Sequence, residues 1–312
     1  MSEKSNLFVS PQQAGTRLDV FVAGAFPESS RSSVRRWIDG GGVTVDGKLR
    51  KAGYALRPQE MVSVTPPPPQ PVDLVPEPIP LDILFEDDWL VVIDKPAGLV
   101  VHPGAGNRQG TLANALLHHF QQLSRSQSIR PGIVHRLDKG TSGLLVAAKN
   151  ESVHEGLAAQ FKQRQVEKRY LALVLGRLEP DQGRIEVPLG RHPRQRTRMS
   201  TRSRSPRQAL TAYRVLRRFL EFSLVEVKLH TGRTHQIRVH FEHLGHPVAG
   251  DPTYTARRRF PLRLSAQKVL KGLDRPFLHA AGLAFDHPVT AKRLEFESPL
   301  PPELDEVLSS LE

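Results

Sequence analysis

One carboxylate, Asp138, stands in the turn Asp138–Gly143 between two apolar runs, Ile133–Leu137 and Leu144–Ala148, with several cations close by. A carboxylate held at a strand end among glycines is rigid and open to a ligand, as a catalytic group must be. The same spacing suits an aspartate that caps its own turn, and on spacing alone that plainer reading weighs more. Cleavage at a sugar could use a facing pair of carboxylates. Asp94 and Asp251 are the candidates for a second, but nothing in their spacing sets either opposite Asp138.

Three other clusters carry possible chemistry. His240, His243 and His246 recur every three residues, a spacing that can gather a metal on a helix. Gly245 and Pro247 break that helix before a third ligand could align, so no metal site is expected. The loop from Gly104 to Gly110 looks like a dinucleotide loop, yet it has one residue too many before the third glycine and lacks a flanking βαβ unit. A plain turn before a helix capped by Thr111 is expected instead. From Arg191 to Arg207 the chain carries seven arginines and no acid. Such a run reads as a solvated loop that can fold onto phosphates when RNA binds.

The elements that must position these residues follow from periodicity. Residues 66–80 hold PPPP at 66–69 and further prolines at 71, 76, 78 and 80, an extended spacer between two modules. In the first module an apolar helical face opens at Arg17-Leu18-Asp19 and ends near Pro27. Ser29 or Ser30 then offers an N-cap for a helix over Arg31–Asp39, and Gly40-Gly41-Gly42 stops it. Val43-Thr44-Val45 followed by Asp46-Gly47 reads as a strand entering a tight hairpin. In the second module, Ile83 to Pro96 reads as a strand, an acidic turn and a second apolar strand that stops at the proline. Further strands are expected at Ile133–Leu137, Leu144–Ala148, Arg169–Leu175, Ala209–Leu216 and Ser223–Leu229. Helices are expected at Leu112–Phe120, Ser152–Gln165 and His235–Leu244. Strands outnumber helices and arrive partly in runs, which favours an α+β fold with a mixed sheet.

At 312 residues the chain is long enough for two domains. Its formal charge of +12 favours a polyanionic partner, and the bias toward arginine, which pairs with phosphate and stacks on bases, points to nucleic acid. Cysteine is absent, which excludes disulfides, a thiolate nucleophile and a zinc–thiolate site. No apolar run approaches membrane-spanning length and the first residues lack a signal-peptide core, so a cytoplasmic protein without membrane contact is expected.

The segment HRLDKGTSGLLV, residues 135–146, resembles the signature of the RluA family of pseudouridine synthases. Lys168-Arg169-Tyr170 is similar to the family's tyrosine-bearing strand, and the run from His230 to His240 to its third motif. HPGAGN at 102–107 and GHPVAGDP at 245–252 add to the resemblance, which runs from about residue 81 to the end. RLD, the SRSSVRRWI helix and GVTVDGK resemble the α-L RNA-binding module of the small-subunit ribosomal protein four type. The resemblance implies an α+β protein with three parts. Residues 15–65 form the RNA-binding module, 66–80 the linker, and 81–312 a catalytic domain with a mixed, largely antiparallel sheet.

By the same resemblance Asp138 is the catalytic aspartate acting at the ribose carbon of a uridine, and Arg238 pairs with it and keeps it ionised and oriented. Tyr170 stacks under the flipped base and could accept the proton released from C5, while Arg136 fills the space the nucleotide leaves in the RNA. His135, Thr141, Arg233 and His235, with Arg17, Arg31, Arg35, Arg36, Arg191 and Arg196, are the implied RNA-binding residues. No cofactor and no metal are expected, because the reaction is an isomerisation without redox change. Ribosomal RNA or the large ribosomal subunit is the implied partner, and a monomer is expected.

HPGAGN and the RHP..R..M segment point to the RluD-like branch, whose substrate is the 23S stem-loop facing the small subunit. Pro206-Arg207 stands where that branch has Gly-Lys, a departure that touches the loop's RNA contacts. Alternatives are another 23S site or a transfer RNA, a nucleosidase that releases the base, and an assembly factor that binds RNA without catalysis.

Overall fold

The computed structural model describes residues 5–26, 29, 31–66, 74–104, 107–120, 132–195, 197–255 and 263–311; side chains of 31–33 and 264–265 lie outside the description. The chain divides into two compact units, Met1–Asp73 and Leu74–Glu312. Among the described residues no helix is long and apolar enough to cross a membrane.

In the first unit, β1 (Ser5–Phe8), α1 (Leu18–Ala25), α2 (Arg31–Asp39), β2 (Val43–Val45), β3 (Lys48–Leu49) and β4 (Met61–Val64) follow one another. The strands form an antiparallel sheet in the order β1-β4-β2-β3. The β2–β3 turn places Asp46 and Gly47 at φ 49° and 74°, as a two-residue hairpin loop requires. Leu18 and Val22 of α1 and Val34 and Ile38 of α2 are buried against Val43, Val45, Val62 and Val64. That core leaves two arginines of α2 on its outer side: Arg35 and Arg36 are exposed. Pro27 and Ser30, expected at the helix ends, and residues 67–73 of the proline-rich spacer lie outside the described residues.

The second unit runs β5 (Asp82–Glu86), β6 (Leu90–Lys95), α3 (Leu112–His119), β7 (Ser142–Ala148), α4 (Glu151–Gln163), β8 (Glu167–Leu175) and β9 (Gln182–Glu186). The short strands β10 (Gly190–Arg191) and β11 (Met199–Ser200) come next, then β12 (Leu210–Arg218), β13 (Phe222–Leu229) and α5 (Gln236–Leu244). It closes with α6 (Leu264–Gly272), β14 (Leu278–Asp286), β15 (Arg293–Glu297) and α7 (Pro302–Ser309). The large sheet has the order β5-β6-β7-β14-β8-β13-β12-β9, with β15 also on β14. Only the central β7–β14 pair is parallel, so the sheet is mixed and mostly antiparallel.

Strands β6 and β7 are apolar on both faces because each feeds two cores. Val91, Ile93, Leu145 and Ala147 enter one, and Leu90, Val92, Leu144 and Val146 the other. A one-residue slip would exchange the two sets without exposing either, so the register is held by how each set of side chains fills its own core.

The parallel pair is short, joining only Ser142 to His279 and Gly143 to Ala280. Gly143 has φ 110°, and a Cβ there would lie 2.3 Å from the Ala280 carbonyl oxygen, so the two backbones meet only because this residue lacks one. Beyond that point β7 takes another neighbour. The segment expected as a strand over Ile133–Leu137 is not one. It touches β7 through one bridge, Ile133 to Ala147, after which the His135 side chain, not a carbonyl, accepts the Val146 N–H at 3.0 Å. A ring nitrogen has taken the place of the next ladder rung, which frees the backbone to turn toward Asp138.

Candidate active site

Asp138 lies four residues before β7, in a turn closed by the Thr141 N–H on its carbonyl at 3.0 Å. Two outside groups hold that turn. Gly98 N–H donates to the Lys139 carbonyl at 2.8 Å, and Arg275 Nη1 reaches the Gly140 carbonyl at 3.3 Å and Ser142 Oγ at 3.2 Å. Arg275 is in turn paired with Glu303 of α7 at 2.6 Å. Beneath the turn Lys95 is fully buried, its Nζ donating to the Pro96 and Leu99 carbonyls at 2.7 and 3.0 Å. Burial and the Arg275 charge pull its pKa down to about 7, against the opposing charges of Asp138 and Asp94.

Arg238, in the first turn of α5, is shared between two carboxylates. Its Nε and Nη2 donate to Asp251 at 2.6 and 2.9 Å, and its Nη1 to Asp138 Oδ2 at 3.3 Å. The Asp251 side chain is wholly buried and that of Arg238 is 8% exposed, whereas Asp138 keeps 17%. Burial pulls the guanidinium pKa down, but the hydrogen bonds and charge of Asp251 and the charge of Asp138 outweigh it and leave it above its ordinary value. Arg238 is therefore a permanent cation locked from behind, presenting one N–H to the carboxylate that faces solvent.

Asp138 opens on a cavity of about 550 Å³. Tyr170, 7% exposed on β8, lines it at a bulge where Ala280 and Ala281 of β14 face that one residue of β8. Burial and the Asp138 charge raise the phenol's pKa, so it is neutral near pH 7. The structure brings eight of the sequence-derived residues to this cavity: His135, Arg136, Asp138, Thr141, Tyr170, Arg233, His235 and Arg238.

Their states differ. Arg136 is exposed, while Arg233 is half-buried with its Nε on the Gln208 carbonyl at 3.2 Å. His135 stacks on Phe161 at 4.5 Å, and burial followed by the Lys168 charge pushes its pKa down to about 3. It is a neutral ring that secures β7, with no positive charge for a phosphate. Thr141 lines the cavity, 2% exposed, and among the described residues its hydroxyl has no hydrogen-bond partner.

The remaining candidates lie elsewhere. Arg17 and Arg35 line a groove of the first unit with Arg50, Lys51 and Tyr54, and Arg17 is tied to Asp19 at 3.0 Å. Arg191 is exposed on β10; Arg196 and the side chain of Arg31 lie outside the described residues. Of the histidines spaced by three, His240 is buried with its two nitrogens on Thr211 Oγ1 and the Val187 carbonyl, and His246 bonds the Leu175 carbonyl. Sequence reasoning missed Asp251 as the anchor of Arg238, and missed Lys95, Arg275 and Tyr254. Asp251 had a local signal, an aspartate opening a turn at Pro252; its carboxylate accepts the Thr253 and Tyr254 N–H groups.

Residues 89–243 match the RNA pseudouridylate synthase family and residues 16–62 the S4 domain. The chain is 43% identical over 307 residues to an uncharacterized RNA pseudouridine synthase of Bacillus subtilis, covering 98% of this chain and 97% of that one. It is 47% identical over 306 residues to the ribosomal large subunit pseudouridine synthase D of Nitrosomonas europaea, covering 98% and 87%. Among solved structures, human RNA pseudouridylate synthase domain containing 4 superposes with a TM-score of 0.58 at 30% identity, over 74% of this chain and 92% of that one.

Proposed function

The chain belongs to the RluA family of RNA pseudouridine synthases and carries an S4 domain, and from that premise we propose that it isomerises specific uridines in the 23S RNA of the large ribosomal subunit. Its activity class is that of an isomerase acting on RNA. The choice of large-subunit RNA draws on relatives that bear the name ribosomal large subunit pseudouridine synthase D. That of the stem-loop facing the small subunit draws on the RluD-like HPGAGN and RHP..R..M segments.

The observation that carries the assignment of roles is the Asp138 carboxylate, set at the mouth of a cavity of about 550 Å³ and held by Arg238 at 3.3 Å. The bond to be broken lies inside the base stack, so the nucleotide is extruded into the cavity. Asp138 acts at C1′ as the N1–C1′ bond breaks, either by attack or by promoting loss of a proton from the ribose. The uracil then turns and its C5 bonds to C1′ as Asp138 releases C1′ or returns the ribose proton; the C5 proton then leaves to water and N1 takes one up. Tyr170 packs its ring against the base. Burial and the Asp138 charge keep its phenol protonated at rest, and stacking is the role we propose for it. Arg136, exposed at the rim, occupies the space left in the RNA. The S4 domain supplies a second, sequence-tolerant hold on the phosphates.

The test is tritium release from 23S RNA labelled at uridine C5, as naked RNA and as large subunits. The wild type releases tritium, and Asp138→Asn does not while binding RNA within a few-fold. Normal turnover by Asp138→Asn would overturn the role of Asp138. Release from a transfer RNA but from neither form of 23S RNA would overturn the choice of substrate.

A further inference from the structure

We propose that Tyr254 is a positioning residue that fixes His235 as a second N–H donor facing Asp138, and that it ties this donor to the arginine-rich β10–β11 hairpin. The inference rests on the reading of Asp138 as the reacting carboxylate. His235 stands immediately before α5 in the left-handed region, at φ 56°. That conformation turns its ring toward both the cavity and Tyr254. One ring nitrogen, Nδ1, lies 2.8 Å from Tyr254 Oη; the other, Nε2, lies 3.9 Å from Asp138 Oδ1. Tyr254 Oη also accepts the Met199 N–H at 3.0 Å. The ring of Tyr254 is flanked by the guanidinium carbons of Arg238 at 5.1 Å and Arg198 at 4.9 Å, which hold it in place.

The proton count along this chain decides which way it points. Burial holds His235 below its ordinary pKa, although the Asp138 charge opposes this, so the ring is neutral with one proton to place. Burial pushes the Tyr254 phenol up to about 12, so Oη keeps its single proton. In one arrangement Oη donates to Nδ1, and His235 carries its proton on Nε2, aimed at the Asp138 carboxylate. In the other, Nδ1 donates to Oη, the hydroxyl proton must go to the Met199 carbonyl at 3.5 Å, and a bare nitrogen lone pair faces the carboxylate. The first uses the shorter contacts and opposes a positive N–H to a negative oxygen; the second uses a marginal hydrogen bond and opposes two acceptors. Nε2 faces Oδ1 at 3.9 Å, so the two Asp138 oxygens are set against different donors: Arg238 on Oδ2, and His235 opposite Oδ1. Because Met199 and Arg198 belong to the hairpin, an RNA strand seated on it stiffens the same chain.

The test pairs long-range ¹H–¹⁵N spectra of the full-length protein with steady-state kinetics on 23S RNA, the His235 signals being assigned by their loss in His235→Gln. The expected wild-type state is the Nε2–H tautomer. Tyr254→Phe keeps the ring between the two arginines, mixes the tautomers and lowers kcat on the order of tenfold with KM unchanged. In a His235→Gln background the glutamine amide supplies its own N–H, and Tyr254→Phe then costs nothing more. An Nδ1–H tautomer in the wild type, or Tyr254→Phe with tautomer and kcat both unchanged, overturns the proposal. Equal losses in the two backgrounds overturn it as well, since they mark a merely structural tyrosine. The spectrum is read without turnover, so a failure of the Asp138 reading, seen as full activity of Asp138→Asn, is distinguishable from a failure here.

Discussion

Replacing Asp251 with alanine removes a wholly buried carboxylate that accepts from Arg238 at 2.6 and 2.9 Å and from the Thr253 and Tyr254 N–H groups at 2.8 and 3.1 Å. With the Arg238 side chain only 8% exposed, water cannot take over those bonds. Breaking a buried pair by removing one partner costs about 3–5 kcal/mol, and because Arg238 keeps Asp138 at 3.3 Å the expected loss lies near about 3 kcal/mol. A surface pair such as Arg293–Asp286, with side chains 33% and 52% exposed, contributes about 0–1 kcal/mol and serves as the control. Asp251→Asn retains an oxygen for the two backbone donors but loses the charge, so its loss is smaller than alanine's. The chain has two tryptophans, Trp37 in the first unit and Trp89 in the second. Urea unfolding followed by Trp89 fluorescence in a Trp37→Phe background therefore isolates the second unit. Turnover falls further than RNA affinity, since Arg238 is freed from its rear support. A loss below about 1 kcal/mol at unchanged m-value refutes the reasoning, because Arg238 would then not depend on Asp251.

Two further outcomes follow from the charges. The folded pKa of His135, about 3, lies below its ordinary 6.5, so between those values the unfolded chain binds more protons and stability is lost as pH falls. His135→Gln, whose amide oxygen can still accept the Val146 N–H, flattens the fall of unfolding free energy between about pH 6.5 and 4 by one proton's slope; an unchanged slope sinks the assignment. On the first unit, Arg35→Gln with Arg36→Gln lowers RNA affinity across sequences and reduces the slope of log K against log salt by about 1 per lost phosphate contact. An unchanged slope would mean that the exposed face of α2 does not lie on the RNA backbone.

What was legible in the chain is what local physics decides. The Asp46-Gly47 turn, the Thr111 cap on α3 and the apolar runs of β6, β7, β8 and β13 carry their own signals, and the structure has each within a few residues of the expected bounds. The Ile133–Leu137 run is as apolar as a strand, and nothing local tells that a histidine ring will cap β7 there. Sheet order was illegible for the same reason: β7 and β14 are joined by Gly143 against Ala280, a contact across more than a hundred residues. At the site, sequence could count arginines but not sort them. Arg233 and Arg238 sit five residues apart on α5 and its approach, yet one leans on a carbonyl at the cavity and the other is buried on an aspartate. Burial separates them, and burial is a property of the fold.

The division of Arg238 between two aspartates explains how Asp138, the carboxylate proposed as catalytic, opens on the cavity without losing its orientation. A lone Arg–Asp pair at a cavity mouth would exchange partners with water and RNA phosphates, and the entropy of two long side chains would offset most of its attraction. Here the guanidinium is immobilised by Asp251 before Asp138 is considered, because two of its N–H groups are already used in the interior. The remaining Nη1 therefore meets Asp138 at fixed geometry, and an incoming phosphate cannot swing the guanidinium out of the site without stripping a buried aspartate of its cation. The cost of that theft, about 3–5 kcal/mol, exceeds what one phosphate contact returns in salt solution. A polyanionic substrate can thus crowd the cavity while the guanidinium stays in place beside Asp138.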